Sequence, residues 1–239
     1  MRNIGILARR ELASYFNSPV AYIVLTAFLL VAGWMYWSSF FLVERADLRF
    51  FFSPSPFSPA MLLVIIAPAV TMRLIAEERK TGTIELITTM PVTDTELVLG
   101  KFLAAFALMA TGISATLVYA LTVSSIGQLD WGPVLAGYVG MLMFTGALLA
   151  VGLLASSWTT NQIVAFIVGF VLCAVLYFVY WLQFFVPGFL APVVEFMSVS
   201  YHLDSIARGV IDTRNVVYYV SLTAGALFLA VRAVQRGHA

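Results

Sequence analysis

The chain has 239 residues, of which 62% are hydrophobic and 10% charged, and its mean hydropathy is +0.97. A soluble domain carries about 25% charged residues, so this composition excludes a soluble globular protein and points to an integral membrane protein. A net charge of +1 offers no basic field to nucleic acid, and one cysteine with two histidines excludes an internal disulfide and argues against a Cys/His zinc centre.

Residues 1–18 read "MRNIGILARRELASYFNS". Ile4, Leu7, Ala8, Leu12, Tyr15 and Phe16 recur at helical spacing, while Arg2, Arg9 and Arg10 fall on other faces. The pattern predicts a basic amphipathic helix along the membrane surface, with its arginines near anionic headgroups. Pro19 would end it and turn the chain into the bilayer. A cleaved signal peptide fits poorly, because Glu11 interrupts the basic region and the apolar segment that follows is longer than a signal core.

About 20 apolar residues cross the hydrocarbon core. On that measure the sequence predicts six spans, over residues 20–43, 57–76, 97–127, 131–155, 161–182 and 215–233. Pro54, Pro56 and Pro59 fix the start of the second. The polar cluster "SSWTTNQ", residues 156–162, divides the fourth from the fifth as a short turn. Gly146, Ala150 and Gly152 sit at close helical spacing in the fourth, a face suited to tight packing within or between subunits. Cys173 reads as a small packed residue. Residues 183–214 contain Pro187, Gly188 and Pro192 and are too broken to cross, so they are expected to form a re-entrant or interfacial helical hairpin on the outer side.

Between the second and third spans lies "AEERKTGTIELITTMP", residues 76–91, where charge concentrates in an otherwise apolar chain. A helix is expected to run through Glu77, Glu78 and Arg79, and Gly82 to supply a tight turn. Thr83 caps a short helix, "TIELITTM", that Pro91 closes. "TDTE", Thr93 to Glu96, is a capping box for the third span. A short ordered helix, charged on one side and apolar at Ile84, Leu86 and Ile87 on the other, suits docking against another protein better than a solvated linker does.

The loop charge also helps to set the orientation. Arg2, Arg9, Arg10, Arg73, Arg79, Lys80, Lys101, Arg232 and Arg236 share one side of the six spans, whereas Arg45, Arg49, Arg208 and Arg214 share the other. The excess places both termini in the cytoplasm. Trp34, Trp37, Trp131, Trp158 and Trp181 lie near expected span ends, as interface anchors do.

"EERKTGTIELITTMP" followed by "LGKFLA" (Leu99 to Ala104) resembles the loop of ABC-2-type permeases, the membrane subunits of ABC exporters. There, charged residues precede a Gly-Thr-x-Glu-x-Leu stretch, a Pro, and a Gly-Lys opening a span. "HLDSIARGVIDTRNVVYY" (His202 to Tyr219) resembles the family's stretch before the last span, and the N-terminal helix matches too, so the resemblance covers nearly the whole chain. Within the family the chain is most similar to gliding-motility-type permeases. The resemblance implies an all-α integral membrane fold: six transmembrane helices, an N-terminal cytoplasmic amphipathic helix, a cytoplasmic coupling helix between spans 2 and 3, and the outer hairpin between spans 5 and 6. It further implies that the coupling loop, residues 77–96, docks a cytoplasmic ABC ATPase through Glu77, Glu78, Arg79, Lys80, Gly82, Thr83, Glu85, Leu86 and Pro91. Arg2, Arg9, Arg10 and Glu11 of the N-terminal helix would flank the contact. A second permease subunit, identical or related, membrane lipid and a prokaryotic inner membrane follow from the same likeness.

The chain offers no ATP-binding loop of its own. Of its two lysines, Lys80 follows Arg79, and Lys101 has Thr95 where the first glycine belongs and Phe102 where Ser or Thr belongs. No cofactor or metal is expected on this chain, and ATP with magnesium is expected on the partner. Glu195, His202, Asp204 and Arg208 in the outer hairpin admit two readings: a metal or hydrolase site, or an interfacial helix with an Asp204–Arg208 pair. A secondary transporter would need buried ionisable residues or an inverted repeat, and neither is visible. A non-transporting envelope or motility subunit that recruits an ATPase is the remaining alternative.

Overall fold

The computed structural model describes residues 2–43, 47–82, 92–182, 185, 187–189 and 191–236. Its helices, in chain order, are α1 (Arg2–Asn17), α2 (Pro19–Val43), α3 (Arg49–Phe52), α4 (Pro59–Thr71), α5 (Ala76–Thr81), α6 (Asp94–Ala115), α7 (Leu117–Ile126), α8 (Trp131–Ser157), α9 (Gln162–Leu182), α10 (Ala191–Met197), α11 (Val199–Ala207) and α12 (Thr213–Arg236). Among the described residues six runs are long and apolar enough to cross a membrane: α2, α4 with α5, α6 with α7, α8, α9 and α12. An all-helical build follows from hydrocarbon, where each backbone N–H and C=O must find its partner inside the protein.

The spans bury one stripe each and leave the rest to lipid. On α2 the buried residues are Ala21, Phe28, Ala32 and Tyr36, while Ile23, Leu30, Trp34 and Phe41 are exposed. On α9 they are Ala165, Gly169, Cys173 and Tyr177, every fourth residue, with Ile163, Ile167, Val171 and Val175 facing out. The α8 helix is the exception and the axis of the bundle: it touches α3, α4, α6, α9, α11 and α12 and is buried along most of its length.

Glycine lets those neighbours approach. A Cβ on Gly137 would run into the ring of Phe52 from α3, one on Gly140 would lie 2.7 Å from Ile206 of α11, and one on Gly152 would overlap the Thr71 hydroxyl and sit 3.3 Å from the Pro68 Cα of α4. Of the small residues expected to form a packing face, Gly152 meets Thr71 and Pro68 of α4 and a Cβ on Gly146 would lie 3.4 Å from the Phe106 ring of α6, both within the subunit.

Two spans are broken, each where backbone bonds are diverted. The third is interrupted at Thr116, inside the span expected over residues 97–127. There the Thr116 hydroxyl donates to the Ile113 carbonyl at 2.6 Å and pairs with the Tyr138 hydroxyl at 3.1 Å, the local back-bonding that bends helices. The second ends as a regular helix at Thr71, three residues beyond Pro68, and resumes at Ala76.

On the side away from α1, α3 folds under the bundle and buries Phe51 and Phe52, and α10 and α11 form the element between the fifth and sixth spans. The α11 face of Val199, Leu203 and Ile206 is fully buried, so α11 lies against the bundle as part of its core, whereas Val193, Phe196 and Met197 of α10 are exposed.

Replacing Gly152 with Val should destabilise the protein by about 1–3 kcal/mol, the usual range for overpacking. Gly225→Ala, with nothing within 4 Å of the added carbon, should be neutral or stabilising by up to ~1 kcal/mol. Thermal unfolding of the two variants in detergent checks both signs.

Candidate functional site

At the α1 end of the bundle the polar residues converge on one buried cation. Lys101 stands two turns into α6, and its side chain is only 2% exposed. Its Nζ donates to Glu78 Oε1 of α5 at 2.6 Å and to Glu11 Oε1 of α1 at 3.3 Å. The preceding residue makes this possible. A Cβ on Gly100 would lie 2.8 Å from the Leu7 Cβ and 3.5 Å from the Ala8 nitrogen, so only glycine lets α1 lie this close to α6. An ammonium removed from water needs paired and hydrogen-bonded neighbours, and the two carboxylates supply them from separate helices.

The start of α6 is fixed by its own capping box. The Glu96 N–H donates to Thr93 Oγ1 at 3.2 Å, and the Thr93 N–H donates to Glu96 Oε2 at 3.2 Å. Asn3 of α1 donates its Nδ2 to the same Glu96 oxygen at 3.3 Å. Thus α1 is held to α6 at Asn3, Leu7 and Glu11, one face of the helix, while Arg9 and Arg10 remain exposed.

The break between α4 and α5 is stitched from both sides. The Leu74 N–H turns back to the Thr71 carbonyl, which frees the Val70 carbonyl for the Tyr15 hydroxyl at 3.0 Å. Burial holds the Tyr15 phenol well above its ordinary pKa even with Arg73 beside it, so it stays a neutral donor; the Arg73 guanidinium lies 5.3 Å from the ring centre. On the other side, the Ile75 and Ala76 N–H groups donate to Ser156 Oγ of α8 at 3.2 and 3.1 Å, and that hydroxyl donates to the Met72 carbonyl at 2.9 Å. One serine therefore serves three backbone groups at the break.

Helix α5 is short but tied in several directions. Glu78 reaches α6, and Arg79 Nη2 donates to the Ala233 carbonyl in the last turn of α12 at 2.6 Å. Glu77 and Lys80 point outward. Gly82 ends the helix at φ 70°, the left-handed conformation that glycine adopts without strain. A cleft of about 410 Å³ opens between α1, α5 and α6, lined among others by Glu11, Tyr15, Arg73, Glu77, Glu78 and Lys101. Thr83, Glu85, Leu86 and Pro91, with the short helix expected around them, lie outside the described residues.

Sequence reading named Glu11 and Glu78 but missed their shared partner, and it took Ser156 for part of a plain turn. The one signal for Lys101 was a lysine inside an apolar run directly after a glycine.

The second cluster resolves differently. His202 is buried, stacks on Tyr218 at 4.0 Å, and pairs through Nδ1 with Asn215 Oδ1 at 2.8 Å. Its Nε2 lies 3.3 Å from the Phe196 carbonyl. Asp204 pairs with Arg208 at 2.5 Å, four residues on along the helix. Asp212 accepts the Arg214 N–H at 2.9 Å, which holds its carboxyl below the usual range. Among the described residues no three of His, Cys, Asp and Glu gather closely enough for a metal ion. His202 joins α10, α11 and α12 as a packed residue, and the Asp204–Arg208 pair expected of an interfacial helix is present.

A sequence comparison with known families decides the class: the family described as ABC-2 family transporter protein matches residues 11–209. The chain belongs to the ABC-2 transporter family. The match runs from Glu11, at the buried ion cluster, through five spans to Gly209 after α11, and does not assign a subgroup. No curated protein matched the chain. As an ABC-2 permease it is a multi-pass membrane component of an ABC transporter, from a family of membrane subunits that in general work with an ABC ATPase.

Lys101→Met should leave Glu11 and Glu78 facing each other without their cation. Both carboxylates are partly solvated, so the expected loss is about 2 kcal/mol, within the usual range for a charged hydrogen bond. Limited proteolysis in detergent should release α1 faster in Lys101→Met, whereas Glu77→Gln, at an exposed position, should match wild type.

Proposed function

We propose that this permease is the membrane half of an ATP-driven exporter, with ATP and magnesium bound by a separate cytoplasmic ATPase and substrate moved outward. In this reading it sits in a prokaryotic inner membrane with both termini in the cytoplasm, as the distribution of its Lys and Arg residues supports. A second permease, identical or related, completes the pathway.

The observation that carries the reading is the wiring of α5. The charged loop leaves the second span through a helix bonded to α6 at Lys101, to α8 at Ser156 and to α12 at Ala233. A solvated linker needs no such connections. A lever does: a push on the loop reaches four spans at once, because a hydrogen-bonded and packed junction moves as a unit. Glu77, Glu78, Arg79 and Lys80, continuing to Gly82, Thr83, Glu85, Leu86 and Pro91, form the docking segment. Glu77 and Lys80 offer exposed charge for register and partner choice, while Glu78 and Arg79 face inward and transmit force. On the same side Arg9 and Arg10 present the exposed charge of α1, near the loop and the lipid headgroups.

The test is purification from native membranes in mild detergent. An ATPase should accompany wild-type protein and be reduced at least tenfold in Glu85→Arg, because a reversed charge at a docked surface costs several kcal/mol. Recovery of the same ATPase with Glu85→Arg and with a Glu77→Arg/Glu85→Arg double variant would overturn the docking assignment. Failure of any ATPase to accompany wild type, even after crosslinking, would overturn the exporter reading.

A further inference from the structure

A groove runs along the lipid-facing side of the bundle between α6 and α12. Its upper part, about 460 Å³, is walled by apolar residues including Phe102 and Phe106 of α6, Met143 of α8 and Val220 of α12. Its lower part, about 540 Å³, continues between Leu99 of α6 and Val231 of α12 and ends at Arg232 and Gln235. Ala224 and Leu227 line both parts, so the two are one channel along the protein surface. Val220 and Arg232 are twelve residues apart on α12, about 18 Å of helical rise. Half of the hydrocarbon core is about 15 Å. The groove is therefore as long as one leaflet is deep.

The foot of the groove is cationic. The Arg232 guanidinium carbon lies 5.2 Å from the Phe228 ring centre, and both residues line the foot of the groove. Arg236 follows four residues later and, with Arg232, borders a second depression on the Trp158 side. Like charges at this spacing repel, and among the described residues neither arginine has a carboxylate within salt-bridge distance. The nearby acid of α6, Glu96, is bonded to Thr93 and Asn3. A phosphate would relieve the repulsion and accept from Arg232 and Gln235 together, while an acyl chain covered the apolar wall above it.

We propose that this groove binds an anionic glycerophospholipid of the leaflet at the α1 end, with its phosphate on Arg232 and Gln235 and one acyl chain along Leu227, Ala224 and Phe102. The charge pattern selects this occupant over a second copy of the chain, whose own apolar span would bring no counter-charge to the arginines. The site stands whether or not the chain exports.

Native mass spectrometry of the full-length protein titrated with phosphatidylglycerol or phosphatidylcholine of identical chains tests this. Wild type should bind phosphatidylglycerol at least tenfold more tightly. Arg232→Gln should bring the two lipids within about twofold, Arg232→Lys should keep most of the preference, and Ala224→Trp, at an exposed position in the waist of the groove, should weaken both. Equal binding of the two lipids by wild type would overturn the proposal, as would an undiminished preference in Arg232→Gln. Efficient disulfide crosslinking of Ala224→Cys between two chains in native membranes would also overturn it, by showing that a second copy covers the groove.

Discussion

Hydrocarbon has no partner to offer a backbone N–H or C=O, and each one left bare there costs several kcal/mol. The spans are helical because of this, and the same rule governs the places where helices stop. At the α4–α5 break the freed groups are the Val70 and Met72 carbonyls and the Ile75 and Ala76 N–H groups, and each meets a hydroxyl from another helix. A break in a soluble helix could lean on water and remain loose. Here the satisfying groups come from α1 and α8, so breaking the second span also fastens it to two neighbours.

Charge obeys the same logic at higher stakes. Lys101 is almost wholly buried, and the long, flexible stem of lysine lets its ammonium reach carboxylates from two helices at once. Removing one partner from such a cluster is far more damaging than its net contribution suggests. That asymmetry explains why a charge cluster, which adds modest stability, fixes geometry well: α1, α5 and α6 share one arrangement that satisfies all three charges, and sliding any helix by one residue leaves a charge unmatched.

What the sequence disclosed follows from the range of each interaction. The spans were legible because hydropathy is summed over about twenty neighbours, and the Thr93–Glu96 box because its partners are three residues apart. Gly82 was legible because a turn is local. Lys101 was not: its partners lie 90 and 23 residues away, and no local pattern marks a lysine as buried. Ser156 reads as turn material for the same reason, its bonds to the α4–α5 break spanning about eighty residues. The break at Thr116 was hidden because a threonine inside an apolar run looks like any other helical residue until its hydroxyl finds both the Ile113 carbonyl and Tyr138. His202 left two readings open because its partner Asn215 sits thirteen residues on, across the start of α12.

The last turn of α12 joins the two halves of this picture. The Ala233 carbonyl holds Arg79 of α5, and the residue before it, Arg232, stands at the foot of the α6–α12 groove. Carbonyls at a helix C-terminus have no intrahelical partner and carry partial negative charge, so this turn accepts the Arg79 guanidinium of the α5 segment. An anion seated on Arg232 would compete for none of the bonds that Arg79 makes, since one uses a side chain and the other a backbone oxygen. It would instead reduce the repulsion among the arginines and so stiffen the turn on which α5 rests. If the groove holds the proposed lipid, that lipid would act on the anchorage of α5 without touching the segment proposed to dock the ATPase, and the surrounding bilayer would become part of what sets the force needed to move it.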